Sequence, residues 1–153
     1  MVDKRYLKGT RFEMEIRMPQ PTTEKLLKGD AIDARAPSDA AAFLLDGQQA
    51  ALSSVRHVTA EITEGATLMA SAIRAKKKIH YVAAGSSGLM ALADACELPG
   101  TFGIPAQAIR IHMAGGIPSD GHMPGNTEDD LSACDSVSDK IHNGDTVIVL
   151  TAS

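Results

Sequence analysis

Apolar residues recur every three or four positions across the middle of the first half of the chain. The series consists of Val55, Val58, Ile62, Ala66, Met69 and Ile73. This spacing is typical of one face of an α-helix, so it predicts a single long amphipathic helix after Gly47. Before it, Ser38 is a candidate N-cap for a short helix that runs through Leu45.

Three short apolar runs alternate with helical patterns in the second half of the chain. The runs lie at residues 79–84, 108–114 and 146–151. The first run has little charge and the third is rich in β-branched residues, so we predict three strands, the first of them buried on both faces of a parallel sheet. Helical patterns at 89–97 and 131–141 separate them. The alternation predicts an α/β fold, with a doubly wound parallel sheet flanked by helices and preceded by an N-terminal helical segment.

Residues 1–37 differ in composition from the rest of the chain. They are rich in Lys, Arg, Asp, Gly and Pro and have no sustained periodicity, which predicts an N-terminal arm with little regular structure. Residues 38–153 then form the beginning of one α/β domain. Because Ser153 directly follows a strand that needs a covering helix, we expect the chain to be incomplete.

Composition narrows the classes of partner. Of the 153 residues, 44% are hydrophobic and 22% are charged, which suits one folded core. The net charge of −4 argues against nucleic acid as a partner. Residues 1–20 contain no apolar run of signal-peptide or membrane-spanning length, so we expect a cytoplasmic protein without a membrane partner.

The cysteines and histidines do not indicate a metal site. Cys96 and Cys134 stand singly in apolar helical patterns, so we expect buried, reduced thiols. His112 and His122 lack the spacing or neighbouring carboxylates of a metal centre. We therefore expect neither a metal nor a cofactor.

The turn after the first predicted strand is the strongest candidate for a binding site. Residues 84–88 read AGSSG. Gly85 and Gly88 permit a tight turn, while Ser86 and Ser87 offer hydroxyls that can bind an anion such as a phosphate ester. The alternative is an ordinary strand-to-helix turn with serine caps. Ser153, after the third predicted strand, is a weaker candidate at the same edge of the sheet.

Two glutamates are candidates for acid–base chemistry. Glu97 ends the predicted helix and precedes a turn at residues 98–103 that is rich in Gly and Pro. A partly desolvated glutamate there could act as a general acid, but a solvated helix-end carboxylate is the alternative. Glu128 follows Thr127 in a capping-box pattern, so it is either catalytic or simply one of the acids favoured in a first helical turn.

Several of these motifs together resemble a known family. Residues 81–88 read YVAAGSSG, residues 92–103 read LADACELPGTFG, and residues 114–116 read AGG ahead of Glu128. In this order and at these separations they resemble the N-acetylmuramic acid 6-phosphate etherases. The resemblance covers roughly residues 22–153. It implies the sugar isomerase (SIS) fold and a homodimer that shares its active site.

The resemblance also implies roles for individual residues. Ser86 and Ser87, with Ser153, would hold the 6-phosphate of a phosphosugar, and Glu97 would protonate the departing lactate. Glu128 matches the second catalytic glutamate. The implied reaction removes the proton at C2, expels D-lactate from C3 and adds water, giving N-acetylglucosamine 6-phosphate without a cofactor.

Three positions depart from the family pattern, and two rival functions remain. Leu89 replaces an arginine, Gly100 replaces a proline and Ile117 replaces an acid, which leaves the preferred sugar open. A phosphosugar isomerase of the same fold would not need a proton donor for a C3 leaving group. A non-catalytic phosphosugar-binding regulatory protein would need neither glutamate. We expect this part of the chain to be inactive by itself.

Overall fold

The computed structural model of the chain describes residues 31–123, 125, 127 and 136–151. The helices are α1 (Pro37–Val55), α2 (Thr59–Arg74) and α3 (Gly85–Phe102), and the strands are β1 (Ile79–Ala83), β2 (Ile109–Met113) and β3 (Thr146–Leu150). Short 3₁₀ turns occur at Ile32–Ala34, Arg56–Val58 and Ala106–Ala108. None of the described helices is long and apolar enough to cross a membrane.

The three strands form a parallel sheet in the order β2-β1-β3. Central strand β1 aligns Ile79 with Ile109 on one side and with Thr146 on the other. Parallel neighbours need crossover connections, and α3 provides the one between β1 and β2. The predicted α/β class, with a parallel sheet flanked by helices, is confirmed.

The core lies between the sheet and α3. Alternate residues of β1, Ile79, Tyr81 and Ala83, are buried against this helix. The helix presents Ala91, Ala95 and Leu98, whose spacing of three and four places them on one face. Small alanine side chains allow the helix to approach the sheet closely. Burial of a side chain such as Ile79 contributes about 1.5–3 kcal/mol.

The N-terminal helices differ from the predicted pair. Helix α1 begins at Pro37, with Ala36 as an N-cap that makes no side-chain hydrogen bond, so the predicted capping role of Ser38 is wrong. Proline is favoured in the first turn because its missing N–H would have no partner there. The helix also continues past Gly47, and the 3₁₀ turn at Arg56–Val58 divides what we predicted as one long helix.

The expected burial of Cys96 is also wrong, since this thiol is exposed. Its neighbour Ala95 belongs to the buried stripe of α3. Each helical residue is rotated by about 100° from the preceding one, so Cys96 turns away from the sheet. Cys134 lies outside the described residues.

Helix α2 ends in a Schellman motif that uses a lysine. Lys76 has a φ of 57°, while its N–H donates to the Ile73 carbonyl and the N–H of Lys77 donates to the Ala72 carbonyl. Glycine is the usual residue at this left-handed position because a Cβ is strained there. The end of α2 therefore stores local strain at Lys76.

Replacing Lys76 by glycine should stabilise the fold. Relief of the left-handed strain exceeds the added chain entropy of the unfolded state, so we expect Lys76→Gly to raise the free energy of unfolding by about 0.5–1 kcal/mol. The control is Ala75→Gly, because Ala75 has a φ of −80° and the same change there should be destabilising. Urea unfolding followed by circular dichroism measures both. A loss of stability in Lys76→Gly would contradict the assignment.

Candidate functional site

The serine turn, residues 84–88, comprises the N-cap and the first turn of α3, directly after the carboxyl end of β1. Gly85 has a φ of 54°, a left-handed conformation that glycine adopts without strain. The Gly88 N–H donates to the Ala84 carbonyl at 3.1 Å, and Ala84 makes no side-chain cap. The N–H groups of the residues between them lie at the positive end of the helix, where an anion is stabilised.

An open cleft of about 390 Å³ lies beside this turn. Ser87 and Met90 of α3 line one side, and Val149, Leu150 and Thr151 at the end of β3 line the other. Ser86 is exposed and Ser87 is half-buried. The cleft thus lies at the carboxyl ends of parallel strands, where open α/β sheets bind their ligands.

Gly88 holds the serine turn close to the sheet. It is buried, and a Cβ at this position would lie 2.6 Å from Cγ of Met113 on β2. Only glycine fits without displacing this methionine. The close approach of α3 to β2 therefore determines where the two serines stand.

Glu97 does not end its helix, contrary to the prediction. The residues predicted as a turn continue α3 as far as Phe102, with Pro99 inside the helix, and Gly103 ends it with a φ of 65°. Glu97 is exposed, and its Oε2 accepts a hydrogen bond from Oγ1 of Thr101 at 3.0 Å. The described residues therefore do not desolvate this carboxylate, and Thr101 is the side chain that orients it.

The structure does not bring Glu97 together with the serine turn of the same chain. Ser86 and Glu97 are eleven residues apart on one helix, which corresponds to about three turns and about 16 Å along the axis. Both side chains point away from the sheet. Glu128 and Ser153, the other two candidate residues, lie outside the described residues.

Sequence reasoning overlooked two buried polar groups on β1. The Tyr81 hydroxyl donates to Oδ2 of Asp94 on α3 at 2.5 Å, and burial with this carboxylate raises the pKa of Tyr81 above its ordinary range. On the other face of the strand, His80 is 1% exposed and bonded to two side chains. A histidine inside an otherwise apolar run was the signal for a buried polar partner. Among the described residues, no group of three His, Cys, Asp or Glu side chains could hold a metal ion.

The fold defines an α/β protein with an open cleft at the carboxyl edge of its parallel sheet, beside the start of a helix. No family model matches the chain. It is 38% identical over 100 residues to the N-acetylmuramic acid 6-phosphate etherase of Thermobifida fusca, a match covering 65% of this chain and 33% of the relative. The etherase of Burkholderia lata is 33% identical over 123 residues, covering 80% of this chain and 40% of the relative.

The etherase of Bacteroides thetaiotaomicron is 32% identical over 102 residues, covering 65% of this chain and 37% of the relative. The chain belongs to the N-acetylmuramic acid 6-phosphate etherase family and corresponds to its N-terminal portion. It spans between 33% and 40% of the length of these curated relatives.

Adding a methyl group at Gly88 should destabilise the fold. Because the new Cβ would lie 2.6 Å from Met113 Cγ, we expect Gly88→Ala to lower the free energy of unfolding by about 1–3 kcal/mol. Gly100→Ala on the same helix is the matched control, since nothing lies within 4 Å of its Cβ position, and it should stabilise by about 0.5–1 kcal/mol. Equal effects of the two substitutions in urea unfolding would contradict the packing described.

Proposed function

We propose that this chain is the N-terminal portion of an enzyme that cleaves the lactyl ether of N-acetylmuramic acid 6-phosphate. The reaction is an elimination followed by hydration, and its products are D-lactate and N-acetylglucosamine 6-phosphate. The supporting observation is the cleft beside the serine turn of α3, in a chain whose relatives bear this name. Such a lyase needs an acid and a base, and no cofactor.

The serine turn would bind the 6-phosphate. In the described part of the chain, the hydroxyls of Ser86 and Ser87 make no hydrogen bond, so both are available to a ligand. Together with the amide groups of the first turn they would donate to phosphate oxygens, and the helix dipole favours the negative charge. Ser153, which follows β3 in the sequence, would add a third hydroxyl.

Two glutamates would divide the proton transfers. Protonation of the departing lactate oxygen requires a proton donor, for which we propose the carboxylic acid of Glu97, held by Thr101. Removal of the C2 proton requires a base, for which we propose the carboxylate of Glu128. One group thus gives a proton while the other takes one, a division that enzymes achieve by placing two carboxyl groups in different environments.

The separation of Glu97 from the serine turn supports a site that two copies of the chain complete. A hexose 6-phosphate is much shorter than the roughly 16 Å that separates Ser86 from Glu97 along α3. Glu97 is also exposed, so a second copy that covers it would supply the desolvation that a general acid needs. We therefore propose a homodimer in which Glu97 of one copy acts on the sugar held by the other.

A second candidate function is suggested by Leu89. The chain could belong to a regulatory protein of the same fold that binds a phosphosugar. This leucine is 39% exposed and directly follows the serine turn. The family pattern has an arginine at this position. Without the positive charge of an arginine, this position cannot form an ion pair with a phosphate. Release of D-lactate separates the two candidates, because a regulatory protein would bind the phosphosugar without cleaving it.

Replacing Glu97 should greatly slow the release of D-lactate. We expect Glu97→Gln in the full-length protein to lower kcat for D-lactate release about 100-fold or more, since a positioned general acid contributes about 10²–10⁴-fold. Glu64→Gln, at an exposed position of α2, is the matched control and should retain the parental rate. An unchanged kcat in Glu97→Gln would contradict the proposed acid.

Removing the Ser87 hydroxyl should weaken phosphosugar binding. A hydrogen bond to a charged group contributes about 1.5–3 kcal/mol, so we expect Ser87→Ala to raise Kd for the phosphosugar by about ten- to hundredfold. Ser54→Ala serves as the control, because Ser54 on α1 only bonds the Ala51 carbonyl of its own helix. Isothermal titration calorimetry measures both, and equal affinities in the two variants would count against the phosphate site.

A further inference from the structure

The hydroxyl of Thr101 differs in its acceptor from the hydroxyls along α2. On that helix Thr63, Thr67 and Ser71 each donate to the backbone carbonyl four residues earlier, at 2.8 Å. This is a common local bond of a helical hydroxyl. Thr101 on α3 instead donates to Oε2 of Glu97, at 3.0 Å. Its hydroxyl is thus committed to a side chain rather than to its own backbone.

The end of α3 fixes the place of Thr101. Residues four apart share one face of a helix, and helical side chains lean towards the N-terminus, so Thr101 leans onto Glu97. The turn between them is tied back to the core. Leu98 is buried there, Ile104 packs against the same cluster, and the N–H of Ile104 donates to the Leu98 carbonyl at 3.3 Å. Thr101 therefore stands on a turn that is anchored on both sides.

The bond places the two carboxyl oxygens of Glu97 in different situations. Oε2 accepts from Thr101, whereas Oε1 has no partner among the described residues. In a protonated carboxyl group the carbonyl oxygen is the better acceptor, because the hydroxyl oxygen carries the proton. Donation to Oε2 therefore favours the acid form whose proton lies on Oε1. That proton is the one that a neighbouring molecule can receive.

The same bond becomes stronger as the proton leaves. Loss of the Oε1 proton turns the carboxyl group into an anion, and a hydrogen bond to an anion is roughly twice as strong as one between neutral groups. In the homodimer proposed above, the covering copy excludes water from Glu97, and the Thr101 hydroxyl remains as a donor from its own chain. Thr101 thus stabilises the transition state more than the bound substrate, which raises kcat rather than affinity.

We propose that Thr101 is the positioning residue of the general acid and selects Oε1 of Glu97 as the oxygen that protonates the leaving group. This role rests on the function proposed above. In that reaction the electron pair of the C2–H bond forms the C2–C3 double bond, while the pair of the C3–O bond stays on the lactate oxygen. The lactate oxygen takes the Oε1 proton, the base takes the C2 proton, and Thr101 keeps its own proton throughout.

Removing the hydroxyl while keeping the shape of the side chain tests this role. In the full-length protein we expect Thr101→Val to lower kcat for D-lactate release about tenfold and to leave KM within about twofold, because the lost bond is strongest in the transition state. Thr101→Ser retains the hydroxyl and should keep kcat within about threefold of the parental value. The matched control is Thr63→Val, which should keep the parental kcat because Thr63 bonds only the backbone of its own helix.

A double variant shows whether Thr101 acts through Glu97. Once Glu97→Gln is in place, the hydroxyl has no carboxyl group to orient. Adding Thr101→Val should then change the remaining kcat by less than about twofold. A further loss of about tenfold in the double variant would show that Thr101 acts by another route, and would overturn the proposal.

The outcomes are distinct. A loss of kcat in Thr101→Val that is absent from Thr101→Ser supports the role, whereas a parental kcat in Thr101→Val or equal losses in both variants overturn it. If Thr101→Val does not fold, Thr101→Ala takes its place with the same expectations, because the position is exposed and alanine favours a helix.

Failure of this role can be told apart from failure of the proposed function. No D-lactate release by the parent, or release that is independent of Glu97, would overturn the proposed acid and the role of Thr101 with it. A parental kcat in Thr101→Val beside a slow Glu97→Gln would overturn the role of Thr101 alone.

Discussion

The close packing of β1 against α3 is the constraint on which the rest of the structure depends. Ile79 and Tyr81 are buried beneath Ala91 and Ala95, and Gly88 leaves no room for a Cβ beside β2. This packing places the first turn of α3 at the carboxyl edge of the sheet, where its amides and serines can meet an anion. Because this packing buries one face of α3, the opposite face, which carries Glu97, is exposed to solvent.

The two faces of β1 have different tasks. One face forms the apolar core, while His80 on the other face joins β2 to the start of β3 through a polar chain of side chains. Because β3 also forms a wall of the cleft, both faces contribute to the position of the candidate site. The apolar face determines where the serine turn lies, and the polar face links β1 to Asp145, the residue before β3.

The sequence predicted the strands well because each is rich in aliphatic or β-branched residues, and the run at 79–84 differs from β1 by a single residue. It also predicted the serine turn, because glycine and serine directly after a buried strand are local signals of a turn. Pro99 and Gly100 misled, because α3 continues through both residues to Phe102, next to Leu98, which is buried in the core. The His80–His112–Asp145 cluster depends on the register of the strands and on the position of a loop. Neither can be read from the spacing of these residues along the chain.

Shared use of the site by two copies is the central claim, and mixing inactive variants tests it most directly. We would mix full-length Glu97→Gln and Ser87→Ala proteins, allow exchange of subunits, and measure D-lactate release at a substrate concentration well below the parental KM. If Glu97 serves the serine turn of its partner, one site in each mixed dimer is intact, and activity should return to about a quarter of the parental value. Activity no higher than that of the separate variants would contradict the account.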